Sequence, residues 1–301
     1  MSLQRLMSRS AGPRLAIALS RALPPRLARR LASLAAGVVC GVRPAVYWVV
    51  RANLRQVLGE DAAQELIERQ VRSTLFVAIW NYYNLYHTLG QPREQIAATV
   101  DLPPATRVVV DQVLARKRGI VLVVPHLGNF DLMAQALGNI TSPIQALSLP
   151  NPPAGFQLMN EIRNRSGIDV TPLSPASLRS ALRVLRGRGV VVIAGDRPVS
   201  DLDASFPFFG HPARVPSGHI RLALKTDSAL MVGCCAFMEE TQRYALHLEP
   251  PIELMRSPDP DEELGANMRR VLDRLEAFIR RWPEQWMVFV PIWPDLLEAE
   301  R

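Results

Sequence analysis

The sequence predicts an α/β fold: a mainly parallel central sheet flanked by helices, preceded by an N-terminal helical region. Two stretches carry the prediction. Gly119-Ile120-Val121-Leu122-Val123-Val124-Pro125 and Gly189-Val190-Val191-Val192-Ile193-Ala194-Gly195 are continuous β-branched runs, the pattern of strands buried on both faces. Around them, apolar residues recur at three and four, and strands alternating with helices favour a parallel sheet. The 301 residues suit one large domain with an appendage. We place the boundary between residues 1–50, an amphipathic helical membrane-associating segment, and residues 51–301, the α/β domain.

Taken in order, Leu15, Ala18, Leu19, Ala22 and Leu23 fall at helical spacing beside Arg14 and Arg21, and Pro24-Pro25 ends that period. Leu27, Leu31, Leu34 and Val38 restart it. The apolar run from Leu31 to Val42 is interrupted by Arg43-Pro44, short of the roughly 20 residues a membrane crossing needs. The expectation is helices lying in the interface plane; the alternative is a helical hairpin packed on the core with Arg facing water. Residues 53–89 read as one helix ending in the aromatic cluster Trp80, Tyr82, Tyr83, Tyr86 and His87. Past the first buried strand, residues 131–137 are helical and 144–149 a short strand. Residues 156–166 are helical, Asp169 to Pro172 extended, and Leu178, Leu182 and Leu185 mark a helix ended by Gly187. After the second buried strand, Phe206 to Gly210 reads as an apolar loop, which lines an acyl tunnel or fills core. Residues 217–226 are helical, 230–237 and 244–248 are strands, and 262–281 form a long amphipathic helix.

Charge narrows the partners. Lys and Arg total 35 against 28 Asp and Glu, a formal net charge of +7. The excess is nearly all Arg, since only Lys117 and Lys225 are lysines. Residues 1–59 hold no acid, so this part is drawn to anionic surfaces, phospholipid or nucleic acid. Nucleic-acid modules set basic residues beside exposed aromatics; no such signature is present, and an anionic membrane surface is the expected partner. Cys40, Cys234 and Cys235 have neither C-x-x-C spacing nor a good disulfide geometry. They read as packed thiols in a reducing compartment, with no metal site.

Pro125-His126-Leu127-Gly128-Asn129-Phe130-Asp131 follows the strongest strand. Ligands collect at the carboxyl ends of strands in open α/β sheets, and an imidazole there can act as general base near neutral pH. The Gly128-Asn129 turn can fold Asp131 back towards His126, where a carboxylate fixes the tautomer and stabilises the imidazolium. The plain alternative is that Asp131 caps its helix and that backbone satisfies His126. The second buried strand leads into Asp196-Arg197. Asp196 is then a second carboxylate near His126 and Arg197 a phosphate ligand, or the two are a local ion pair. Arg214, just before a helix start, and Arg163 are further anion-binding candidates. There is no G-x-S-x-G elbow, P-loop or strand-linked G-x-G-x-x-G. Direct transfer fits this inventory: His126 deprotonates an acceptor hydroxyl, which attacks a thioester without an acyl-enzyme or a metal.

These residues resemble the H-x-x-x-x-D block of the lysophospholipid acyltransferase superfamily, and within it the bacterial lipid A and phosphatidylinositol mannoside acyltransferases. Arg51-x-Asn53-Leu54, Arg163-x-x-x-Gly167, Asp196-Arg197, Phe208-Phe209-Gly210-x-Pro212-Ala213-Arg214-x-Pro216-x-Gly218 and Pro283-Glu284-Gln285-Trp286 resemble further family blocks in order. They extend over about residues 50 to 290. The resemblance implies a glycerol-3-phosphate acyltransferase-like fold and transfer of an acyl chain from acyl-CoA or acyl carrier protein, as co-substrate, to a glycolipid or lysophospholipid hydroxyl, with no further cofactor. By position it implies His126 as base, Asp131 as its partner and Asp196 as a second acid. Arg163, Arg197 and Arg214 then bind anionic groups, with Gly128 and Asn129 beside them. It also implies the cytoplasmic face of a bacterial plasma membrane. The stretch Met287-Val288-Phe289-Val290-Pro291-Ile292-Trp293 has no basic residue, unlike the lipid A enzymes, which points away from lipid A itself as acceptor. Thioesterase chemistry with the same base and a non-catalytic basic membrane protein are the other readings.

Overall fold

The structure is a computed structural model that describes residues 18–20, 22–87, 99–138, 140–141, 143–152, 154–165, 168–200 and 203–300. Arg14, Leu15, Arg21 and Gly167, singled out above, lie outside the described residues. Three helices come first: α1 (Pro25–Val42), α2 (Ala45–Leu58) and α3 (Gln64–His87). The single helix expected over 53–89 is therefore two. Gly59, at φ 94°, takes the chain out of α2 with a backbone conformation that side chains rarely adopt. Helix α2 also runs through the expected boundary at 50/51. Its Tyr47, Val50 and Leu54 pack with Ala36 of α1 and Ile67, Val71 and Leu75 of α3.

The sheet that follows has seven strands: β1 (Val100–Asp101), β2 (Ile120–Val124), β3 (Ile144–Ser148), β4 (Asp169–Pro172), β5 (Val190–Ala194), β8 (Ala229–Met238) and β9 (Arg243–Leu248). Their order is β1-β9-β8-β2-β5-β3-β4, with only the β8–β9 pair antiparallel. The two β-branched runs, β2 and β5, pair in parallel at the centre. Successive residues of a strand face opposite sides, and the core follows suit. Val121 and Val123 face one apolar cluster with helices α7 (Pro175–Arg186), α8 (Gly218–Thr226) and α9 (Pro260–Arg281). Leu122 and Val124 face another with α4 (Pro104–Ala115) and α5 (Phe130–Gly138). Helix α4 has no counterpart in the sequence reading. Helix α6 (Ala154–Arg165) joins β3 to β4.

The Phe206–Gly210 region is not a loop. It belongs to an antiparallel hairpin, β6 (Ser205–Phe208) and β7 (His211–Arg214). Phe209 and Gly210 form its two-residue turn with φ of 51° and 77°, as a primed turn requires. Phe208 and Phe209 are buried against Trp286 and Trp293, so these aromatics fill core.

Helix α1 packs on α3 through Ala28, Ala32 and Ala36 and turns Leu27, Leu31, Leu34, Val38 and Val42 to the surface. Leu34, Val38 and Val42 are 66%, 64% and 73% exposed, an apolar stripe that a water-facing helix does not need. No single described helix is long and apolar enough to cross a membrane; α1 and α2 together reach that length but are bent by 91°.

Candidate active site

Strands β2 and β5 run in register, Val124 beside Ala194. Each chain then continues for two residues past its strand, so His126 and Asp196 emerge together at the carboxyl edge of the sheet. The backbone N–H of His126 donates to Asp196 Oδ2 at 2.7 Å, and His126 Nδ1 lies 2.6 Å from Asp196 Oδ1. With the Nδ1 proton on the carboxylate, Nε2 presents a lone pair; among the described residues, Nδ1 is the ring nitrogen with a partner. Asp196 has no solvent exposure. Burial pushes its carboxyl up, but His126 and the Trp286 indole, which donates to Oδ2 at 2.8 Å, outweigh that and hold it below the usual range.

The partner of His126 is thus Asp196, not Asp131 as the turn geometry led us to expect. Asp131 sits in the first turn of α5 and faces α6. Arg163 Nε donates to its Oδ1 at 2.5 Å and Arg163 Nη2 to its Oδ2 at 3.2 Å. A fork-to-fork pair of this kind is the strong form of ion pair, and both groups are mostly buried. Burial would lower the Arg163 pKa; Asp131 more than reverses this and raises it. Phe130 stands between the two pairs, its ring edge-on to His126 at 5.8 Å and beneath the Arg163 guanidinium at 5.4 Å.

The intervening loop is held by backbone. Gly128 has φ 62°, and a Cβ there would lie 2.0 Å from the Cys235 carbonyl oxygen. Its N–H donates to the Gln285 carbonyl and its own carbonyl accepts from Asn81 Nδ2. Asn129, not Asp131, caps α5: its Oδ1 accepts from the Leu132 N–H at 3.0 Å. So Gly128 and Asn129 are placed to shape the loop. Arg197 follows Asp196, and its guanidinium makes no hydrogen bond or ion pair among the described residues. Burial lowers its pKa, with Asp196 and Tyr82 opposing. Arg214 is exposed at the open end of the hairpin. Among the described residues, no three His, Cys, Asp or Glu side chains are grouped to hold a metal.

Three elements of the site were missed by sequence reasoning. Asn81, on α3, reaches the Gly128 carbonyl and accepts from the Tyr244 hydroxyl at 2.5 Å; no local pattern marks it. Tyr82, whose hydroxyl is pushed up by burial, is close enough to Arg163, Asp131 and Arg197 to feel their charge. The 3-10 turn Pro283–Gln285 and Trp286 were visible only as a family block, without a role. The Gln285 amide clasps Phe237 through both its backbone groups, and the Met287 N–H donates to the His126 carbonyl at 2.8 Å. One step further out, Asn53 binds the carbonyls of Val288 and Val290 and the N–H of Ile292.

The model of the family described as bacterial lipid A biosynthesis acyltransferase matches residues 13–294. A phosphatidylinositol mannoside acyltransferase of Mycobacterium tuberculosis is 29% identical over 201 residues, 64% of this chain. That match spans 60% of the relative's own length. The phosphatidylinositol mannoside acyltransferase of Mycolicibacterium smegmatis is 25% identical over 297 residues, covering 94% of this chain and 90% of that protein.

Proposed function

Because the chain belongs to the bacterial lipid A biosynthesis acyltransferase family, we propose that it is an O-acyltransferase that moves a fatty acyl chain from acyl-CoA or acyl carrier protein to a hydroxyl of a membrane glycolipid. The acceptor class is lipid A-like or phosphatidylinositol mannoside-like, as the names of its relatives suggest. The observation that carries the mechanism is the His126–Asp196 pair at the ends of β2 and β5. Nε2 of His126 takes the proton of the acceptor hydroxyl as its oxygen attacks the thioester carbonyl. The tetrahedral intermediate collapses, the carbon–sulfur bond breaks, and the imidazolium returns the proton to the thiolate. Asp196 stabilises the imidazolium in between. No covalent acyl-enzyme forms.

Arg163, Arg197 and Arg214 are our candidates for holding anionic groups of donor or acceptor. Arg197 is the strongest of them, because its charge lies beside the pair and its guanidinium makes no hydrogen bond or ion pair among the described residues. Asp131 acts through Arg163 and the shared Phe130 wall. The α1 stripe and the Arg-rich start seat the protein on an anionic membrane surface, which we take to be the cytoplasmic face of the plasma membrane.

The test is transfer of a radiolabelled acyl group from acyl-CoA or acyl carrier protein to total membrane lipid, wild type beside His126→Ala. A labelled glycolipid formed by wild type alone supports the reading, and its identity names the acceptor. Free fatty acid as the sole product replaces transfer with thioester hydrolysis. A labelled phospholipid, formed by acylation of a lysophospholipid, moves the acceptor class. Equal product from His126→Ala removes the proposed base.

A further inference from the structure

We propose that Trp286 is a positioning residue for this reaction: its indole N–H locks the Asp196 carboxylate in the orientation that His126 requires. The proposal rests on the His126–Asp196 reading above and assigns a task to a residue that does not touch substrate.

Among the described residues, Asp196 receives donors from two only. His126 supplies its backbone N–H to Oδ2 and faces Oδ1 with Nδ1. The backbone contact ties Oδ2 to the end of β2, but both contacts come from one residue, and the side-chain contact comes from the ring that Asp196 is meant to orient. Trp286 Nε1–H on Oδ2, at 2.8 Å, is the contact from elsewhere. It comes from a segment 90 residues distant in sequence, and it is anchored independently. Trp286 is 2% exposed. Its backbone bridges Leu127, and its ring packs on Phe208, Phe209 and Trp293 with centroid separations of 6.4, 6.2 and 6.5 Å. An indole held this way is a donor at a fixed point. The carboxylate cannot rotate away from it without leaving a buried indole N–H unpaired.

The same packing explains why an aromatic of this size stands here, and a purely structural role for Trp286 is the reading to be excluded. Trp286→Phe removes the N–H and keeps most of the ring. Trp293→Phe is the matched control, since it thins the same aromatic cluster without touching Asp196. We expect Trp286→Phe to lower kcat about 10- to 100-fold, the usual cost of losing a supporting hydrogen bond of this kind, with the KM of donor and acceptor unchanged within about twofold. Trp293→Phe is expected to stay within about threefold of wild type. In an Asp196→Asn background, Trp286→Phe is expected to add less than about threefold, because the two act as one unit. Full additivity of the two substitutions, or equal kcat losses in the two Trp variants, overturns the proposal.

A second readout does not depend on turnover, so that a failure of the acyl-transfer reading is told apart from a failure of this one. The His126 Nδ1 proton, hydrogen-bonded to a buried carboxylate, gives a far-downfield proton resonance, assigned by its loss in His126→Gln. In Trp286→Phe this resonance is expected to move or broaden, while Trp293→Phe leaves it in place. An unmoved resonance in Trp286→Phe refutes positioning whatever the enzyme's substrate. A moved resonance in a protein with no acyl transfer keeps the positioning role and removes the proposed reaction.

Discussion

His219 offers a test of the core that is independent of chemistry at the site. It lies in the first turn of α8 with no solvent exposure, and neither ring nitrogen has a hydrogen-bond partner among the described residues. Burial lowers its pKa from the ordinary 6.5 to about 4. The folded chain therefore refuses a proton that the unfolded chain accepts. Such a group contributes its full stability above pH 6.5, and that contribution is lost as pH falls towards 4. At roughly 1.4 kcal/mol per pH unit, the loss reaches about 3 kcal/mol below pH 4 and about 2 kcal/mol at pH 5. The perturbation is His219→Leu, which nearly conserves volume and cannot titrate. Urea unfolding of both proteins, followed by tryptophan fluorescence at pH 8, 7, 6 and 5, measures the difference in free energy at each pH; groups common to both cancel. We expect the difference to grow in favour of Leu by about 2 kcal/mol between pH 8 and pH 5. A difference that stays constant across that window shows that His219 is not held neutral by burial, and the reasoning fails.

Other substitutions probe other contacts. Asp131→Ala leaves Arg163 buried without its carboxylate and should destabilise the fold by about 3 kcal/mol, seen as a lower urea midpoint; a change under about 0.5 kcal/mol would mean that the pair is effectively solvated. Gly128→Ala sets a Cβ against the Cys235 carbonyl and should abolish soluble folded protein or, if folded, His126-dependent turnover; wild-type activity in this variant refutes the loop geometry. Leu31→Glu with Leu34→Glu places charge on the α1 stripe and should release the protein from anionic vesicles in a flotation assay while leaving circular dichroism unchanged; undiminished flotation sinks the interface reading.

Much of the sheet was legible because β2 and β5 are pure β-branched runs, and a strand buried on both faces announces itself by composition. The equal two-residue offset of His126 and Asp196 beyond those runs was also there to be read. What the sequence could not show was which carboxylate turns to the imidazole. Asp131 is close in number, but residues in the first helical turn point by helix geometry, and here that direction is towards Arg163 on α6. The resemblance to lipid A and phosphatidylinositol mannoside acyltransferases is upheld by the match over residues 13–294. The β6–β7 hairpin escaped because Phe209 takes a positive φ, a conformation disfavoured for a bulky side chain and sustained here by its burial and by the Glu276 carboxylate that accepts its N–H at 2.6 Å. Asn81 could not be found, and Asn53 stood out only within the Arg51-x-Asn53-Leu54 block without a role, since their bonds reach across 47 and more than 230 residues.

The reach of those bonds has a bearing on how the protein is made. The His126 carbonyl is tied to the Met287 N–H, Asp196 to Trp286, and the 288–292 stretch to Asn53. On the ribosome, β2 and β5 are synthesised well before residues 285–292 leave the exit tunnel. Until then His126 and Asp196 are held by the β2–β5 pairing alone and lack these contacts with the C-terminal stretch, and closure over so long a stretch of chain is slow. The His126–Asp196 pair therefore gains its outer anchors only when residues 285–292 have been translated, and a chain stopped before them carries the pair without those contacts.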